Sequence, residues 1–190
     1  MALEPGTYVF GPGDGTLTVH TAKGGVAAKA GHDLEIEVTR WRGTLEAGER
    51  PSIAVTADAR SLRVRKASGG MAPFGDDEKR AVSQTIDDEV LKRTPIEYRS
   101  TRVDLDGDTV HAQGELELSG VRAPLALDLT IADGRLRGRA RIKQTDWRMK
   151  PYSTLFGTLK VADVVEVSID AAVPPVQHPE ATGTRSRDDG

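Results

Sequence analysis

The chain has no cysteine, which excludes disulfides, thiolate nucleophiles and thiolate-ligated metals. No apolar run approaches the roughly 20 residues that a membrane-spanning helix needs. Met1 to Gly6 carries neither a basic stretch nor an apolar one of the export-signal kind, so a cytoplasmic location is expected. No Gly-x-Ser-x-Gly elbow occurs, and no serine sits in a recognisable strand-to-helix turn. Four histidines without cysteine make a three-ligand metal site depend on the convergence of distant groups. The adjacent His32-Asp33 is a poor pair for catalysis or metal binding, because consecutive strand residues point apart. Asp33 fits better as a turn or capping residue. A net charge of -3 argues against nucleic acid as a partner. We therefore assign no catalytic residue, metal or cofactor.

What is present is strand pattern. From Asp108 to Trp147 apolar and polar residues alternate almost without interruption, the period of half-buried antiparallel strands. Val110, Ala112, Gly114, Leu116 and Leu118 share one face of the first strand. Leu125, Leu127, Leu129 and Ile131 share a face of the second, and Leu136, Gly138, Ala140 and Ile142 of the third. Asp106-Gly107, Ser119-Gly120 and Asp133-Gly134 supply the tight turns. Shorter alternating segments precede this block at 6–10, 16–21, 34–38, 41–45 and 53–59, and Val164 to Val173 follows it with Val165, Val167, Ile169 and Ala171 inward.

Asp76 to Arg93 is the one convincing helix. Its acidic start and basic end suit the macrodipole, and Thr94-Pro95 stops it. The narrow stripe of Val82, Ile86, Val90 and Leu91 suits a helix lying across a barrel. Arg60 to Gly75, basic and then broken by glycine and proline, reads as a long mobile connection.

At 190 residues one domain is the natural size. It is expected to span 6–173, followed by a polar, disordered tail over 174–190. Strands joined in sequence by short turns pair antiparallel, and so long a meander must curl to hide its edges. The fold class is all-β: an antiparallel lipocalin-like β-barrel of about eight strands with one inserted α-helix, a size that either fills its interior with side chains or holds one small ligand. The small inward residues Ala112, Gly114, Gly138 and Ala140 leave both options open. They admit large neighbours, or they mark where a cavity is widest.

Two surface features also have two readings. The row Arg135, Arg137, Arg139, Arg141 and Lys143 is a solvated face, paired with acids such as Glu115 and Glu117, or a contact for an anionic surface. Aromatics are only 4% of the chain, and Trp147, Tyr152 and Phe156 gather in one loop. They either pack the barrel end or gate access to it.

The chain also resembles a known family. The residues that carry the likeness are Gly6-Thr7-Tyr8, Trp41-Arg42-Gly43-Thr44-Leu45, the helix ending Ile86 to Leu91, and Pro95-Ile96-Glu97-Tyr98-Arg99-Ser100. Gly114-Glu115-Leu116, Gly120-Val121-Arg122-Ala123-Pro124-Leu125 and Asp163-Val164-Val165-Glu166-Val167 complete it. In this order they are similar to the YceI family, the lipocalin-like polyisoprenoid-binding proteins, over about residues 6–173. The resemblance implies an elongated barrel holding a long isoprenoid lipid, a polyprenyl phosphate or an isoprenoid quinone. Its tail would use the space left by Ala112, Gly114, Gly138 and Ala140. The expected walls are Leu116, Leu127, Leu129, Leu136, Ile142, Val165 and Val167, with Trp147 and Phe156 at the end. The expected partners are the lipid, a transient membrane-surface contact and, as an admitted option, a second copy of the chain.

Overall fold

Alternation becomes curvature in the computed structural model, which describes residues 3–154 and 159–177. The strands are β1 (Gly6–Phe10), β2 (Gly15–Thr21), β3 (Lys23–Gly24), β4 (His32–Val38), β5 (Trp41–Ala47), β6 (Ser52–Ala57) and β7 (Leu62–Gly69). After the helix α1 (Asp76–Thr85) come β8 (Ile96–Asp106), β9 (Thr109–Leu118), β10 (Val121–Ala132), β11 (Arg135–Lys143), β12 (Ser153–Thr154), β13 (Leu159–Val161) and β14 (Val164–Ala172). Eleven strands form one antiparallel sheet in the order β1-β5-β6-β8-β9-β10-β11-β14-β2-β4-β7, and β12, β13 and β3 form a small second sheet.

The antiparallel all-β class with one helix stands, with more strands than eight. The extra ones come from a bent hairpin. β4 runs into β5 through Thr39-Arg40, and β6 runs into β7 through Asp58 to Ser61. β5 and β6 pair near one end of the sheet, while β4 and β7 pair at the other. The two ends of the curled sheet are therefore halves of one hairpin, and each arm counts as two strands. The curl is closed by covalent continuity at this corner instead of by a further ladder.

Ser61 holds the corner and is fully buried. Its Oγ accepts from the Arg40 amide at 3.0 Å and donates to the Asp58 carbonyl at 2.7 Å. Its carbonyl accepts from both the amide and the hydroxyl of Thr39 at 2.9 Å. Outside, Arg40 donates to the Asp58 carboxylate at 2.7 Å. The Arg60 amide first, and Arg40 second, hold that carboxyl below its ordinary range.

The β8 to β11 meander follows the sequence closely. Ser119-Gly120 and Asp133-Gly134 all have positive φ, between 49° and 75°, as the turns that match strand twist require. The Asp106-Gly107 turn is displaced by one residue: Asp106 pairs with Thr109, so Gly107-Asp108 forms the bend.

Two expectations change around the helix. The presumed mobile connection contains β7, an edge strand whose outward side is basic. Arg65 bonds Glu37 at 2.6 Å and Lys66 bonds Glu35 at 3.1 Å, both across to β4. The four basic residues obscured a period of two carried only by Leu62 and Val64. Regular α-helix also ends at Thr85, not Arg93. Ile86 to Val90 widens into a π turn, with the Leu91 amide bonding the Ile86 carbonyl at 2.9 Å, and Lys92 and Arg93 turn the chain with φ of 53° and 58°. The Ser83 hydroxyl of α1 accepts from the Val64 amide at 3.1 Å, so the helix covers part of the edge that β7 would otherwise expose.

The tail joins the fold further than expected. Gln177 and Thr7 exchange both backbone hydrogen bonds, at 2.8 and 3.0 Å. Residues 178–190 lie outside the described residues.

Ser61→Ala removes the acceptor for the Arg40 amide at the corner. It is expected to lower unfolding free energy by about 1–3 kcal/mol, read as a reduced midpoint in urea denaturation followed by circular dichroism.

Candidate functional site

The inward residues divide into two groups. On β1, β5, β6, β8 and β9 they are packed: Tyr8, Phe10, Leu45, Ile53, Tyr98, Val110, Ala112 and Leu116 are all buried. On β10, β11, β14 and β2 most are only half-buried, among them Leu125, Leu127, Leu129, Ala140, Val165, Val167 and Leu17. Side chains that face inward yet keep accessible surface border a hollow. It is a cavity of about 530 Å³, lined almost wholly by aliphatic and aromatic carbon. That volume lies within the ordinary range for small-molecule sites.

The structure brings many of the expected residues to this wall. Leu116, Leu127, Leu129, Leu136 and Ile142 line the cavity, as do Gly138, Ala140, Val165 and Val167. The helix stripe of Val82, Ile86, Val90 and Leu91 reaches it as well.

Ala112, Gly114 and Trp147 are placed elsewhere. A Cβ at Gly114 would stand 2.3 Å from the Arg99 carbonyl and 2.8 Å from the Tyr98 ring. Gly114 thus admits the tyrosine and the bulge of β8 between Ser100 and Arg102. Ala112 is packed in the same filled layer, opposite Val103. Trp147 is buried and donates its indole N–H to the Leu116 carbonyl at 2.7 Å, as a packing residue does. Phe156 lies outside the described residues. Gly138 lines the cavity but is also needed for packing: a Cβ there would meet the Leu129 side chain at 2.2 Å and the Asp128 carbonyl at 2.9 Å. Small size at an inward position has two causes, and alternation alone does not separate them.

One end of the cavity reaches the surface, where the lining residues Tyr152 and Lys160 are themselves exposed. Lys23 and His32 line the same region. Lys23 Nζ is 3.5 Å from Asp33. The His32 ring packs on Phe74 at 4.8 Å, and its Nε2 lies 3.1 Å from the Ala72 carbonyl. Asp33 accepts from the Lys23 amide at 2.8 Å, so His32 and Asp33 serve different contacts and make no pair. Among the described residues no group of three or more His, Asp or Glu converges as a metal site. The basic residues Arg60, Arg63, Arg65 and Lys66 are not part of the cavity wall, although Leu62 between them is.

The arginine row of β11 faces outward, and its acids come from β14. Arg135 and Arg137 reach Asp170 at 2.7 and 3.4 Å, and Arg139 reaches Glu166 at 3.4 Å. Glu115 and Glu117 cannot be its strand partners, because β10 separates β9 from β11.

The model of the YceI-like domain matches residues 17–173. The chain belongs to the YceI-like family. Among solved structures, BcnA of Burkholderia cenocepacia is similar at a TM-score of 0.57 and 12% identity, covering 84% of this chain and 96% of that one. A YCEI protein of Campylobacter jejuni is similar at a TM-score of 0.54 and 13% identity, covering 74% of this chain and 84% of that one. Identities this low establish the fold alone. No curated protein matches the sequence.

The wall of this YceI-like chain also includes residues not expected from the sequence, among them Phe10, Leu45, Ile53, Trp41 and Tyr98. They appeared as ordinary members of alternating strands. Nothing in the pattern marks that Trp41 Nε1 and Tyr98 Oη lack hydrogen-bond partners among the described residues.

Ala140 and Gly138 separate hollow from packing. Ala140→Leu is expected to narrow the cavity and weaken binding of long apolar ligands while the urea midpoint stays near that of the parent chain. Gly138→Leu is expected to cost about 1–3 kcal/mol by overpacking against Leu129, measured in the same denaturation experiment.

Proposed function

We propose that this chain binds a long-chain isoprenoid lipid in its cavity and sequesters or carries it, without catalysing a reaction on it. The observation that supports this most directly is the hollow bordered by half-buried Leu125, Leu127, Leu129, Ala140, Val165 and Val167. Such a wall offers an isoprenoid tail almost nothing but carbon. Burial gains roughly 0.8 kcal/mol per CH₂, so even a tail of about ten carbons has a gross driving force of several kcal/mol. Selection of the head group then falls to the few polar atoms of the wall and the rim. A polyprenyl phosphate and an isoprenoid quinone both fit this reading, the first with its anion toward Lys23 and Lys160. Family membership supports the same class of ligand.

Exchange with a membrane surface belongs to the proposal. Val26 is 93% exposed and Met71 83% exposed. Val26 lies between Lys23 and His32, and Met71 lies between Gly70, packed against His32, and Phe74 at the cavity wall. Apolar side chains held out beside Lys23, Lys29 and Lys160 suit the headgroup layer of an anionic bilayer, where cations and apolar tips both gain.

Two experiments test this. Native mass spectrometry of gently purified protein is expected to show a co-purified lipid, and titration with polyprenyl phosphate or a long-chain quinone is expected to saturate. No bound lipid together with no saturable binding refutes the carrier reading. For the rim, Val26→Asp with Met71→Asp is expected to slow transfer of a preloaded lipid to anionic vesicles severalfold, with affinity for the lipid unchanged. Equal transfer rates refute the membrane contact.

A further inference from the structure

The hollow has a blind end. Its wall stops at Leu17 of β2, Leu129 of β10, Leu136 of β11 and Ile169 of β14. Two residues further along their strands, on the same inward side, stand Gly15, Ile131 and Ala171. With Leu136 these form one paired row: Gly15 with Ala171, Ala171 with Leu136, and Leu136 with Ile131. Ile131 and Ala171 are buried, and neither belongs to the wall. The hollow therefore ends at this row. At its other end Tyr152 and Lys160 are exposed, so a chain enters there.

Between the two ends β2, β10 and β14 each give three successive inward residues to the wall, and β11 gives four, from Leu136 to Ile142. At 3.2–3.4 Å per residue these runs make a wall about 13–20 Å long. An extended chain advances about 1.2 Å per bond, as an extended backbone does. An isoprene unit, with four bonds along the chain, then spans about 5 Å, and the wall matches three to four units.

The volume leads to the same length. A carbon takes about 30 Å³, close to the share of one water in the liquid, so a five-carbon unit takes about 150 Å³. A cavity of about 530 Å³ holds three to four such units. A tail that doubled back along the same wall would need about 900–1,200 Å³, roughly twice what is there. The space admits one extended pass.

We infer that the cavity measures chain length. It encloses three to four isoprene units, about 15–20 carbons, in a single pass that ends against Leu136. Further units of a longer tail stay outside the mouth. This rests on the reading of the cavity as an isoprenoid site and narrows that reading to a length class. Ala140 controls the deep half. It lies between Gly138 and Ile142 on β11 and pairs with Val167, the middle of the three wall residues of β14.

Prenyl alcohols that share a head group and differ in length test the inference: geraniol with two units, farnesol with three, geranylgeraniol with four, hexaprenol with six and octaprenol with eight. Each competes with an apolar fluorescent dye for the full chain. Each is supplied from cyclodextrin, with its affinity for that carrier measured separately. Affinity is expected to rise at least about tenfold from geraniol to farnesol, and to change less than about threefold from geranylgeraniol to octaprenol, because the added units gain no wall. Ala140→Leu is expected to bind geranylgeraniol at least about tenfold more weakly while geraniol stays within about threefold of the parent value, moving the plateau to about two units. A tenfold rise continuing beyond four units would show a tail folded back or threaded past Leu136, and would overturn the inference. So would a plateau already at two units in the parent chain, or an equal loss for every length in Ala140→Leu at an unchanged urea midpoint. A lowered midpoint in that variant leaves the parent series to decide. Failure of every alcohol to bind the parent chain would instead refute the carrier reading as a whole.

Discussion

A curled sheet needs something to hold its curl, and here that is a single corner. β4 continues into β5 and β6 into β7 through Thr39-Arg40 and Asp58 to Ser61, so one bent hairpin supplies both ends of the eleven-stranded sheet. The buried Ser61 hydroxyl and carbonyl satisfy backbone and side-chain donors exactly where the ladder is interrupted. The remaining open edge at β7 is partly covered by α1 through the bond between Val64 and Ser83. The cavity depends on these contacts. A sheet with these strands but without the corner would be an open surface, and its aliphatic face would sit in water.

The corner also makes the interior uneven. Strands β1, β5, β6, β8 and β9 carry Tyr8, Phe10, Tyr98 and Leu116 inward, and these pack into a filled layer. Across from them, β10, β11, β14 and β2 present Leu125, Leu127, Leu129, Ala140, Val165, Val167 and Leu17, which keep accessible surface. The result is a barrel that is part core and part hollow. Phe10, Leu45, Ile53 and Leu116 of the packed side also line the hollow.

Membership in the YceI-like family and similarity to BcnA and to the Campylobacter jejuni protein fix the fold. At 12 and 13% identity they leave the ligand to be argued from this chain's own wall.

The sequence by itself determined the strands, most of their turns and their inward faces. These depend on a period of two and on residues such as Gly120 and Gly134 that accept positive φ, both local properties of the chain. Local pattern failed where two strands of different origin meet. Leu62 and Val64 alternate, but whether they are a loop or an edge strand was decided by β4 pairing alongside them. Gly114 and Ala140 look equivalent in the sequence; only the placement of Tyr98 over the first and of open space over the second distinguishes them. Unsatisfied donors are likewise invisible to pattern, since a partner for Trp41 or Tyr98 would have come from a distant strand. Which residues face inward is set by neighbours along the chain, and whether they meet anything there is set by neighbours across it.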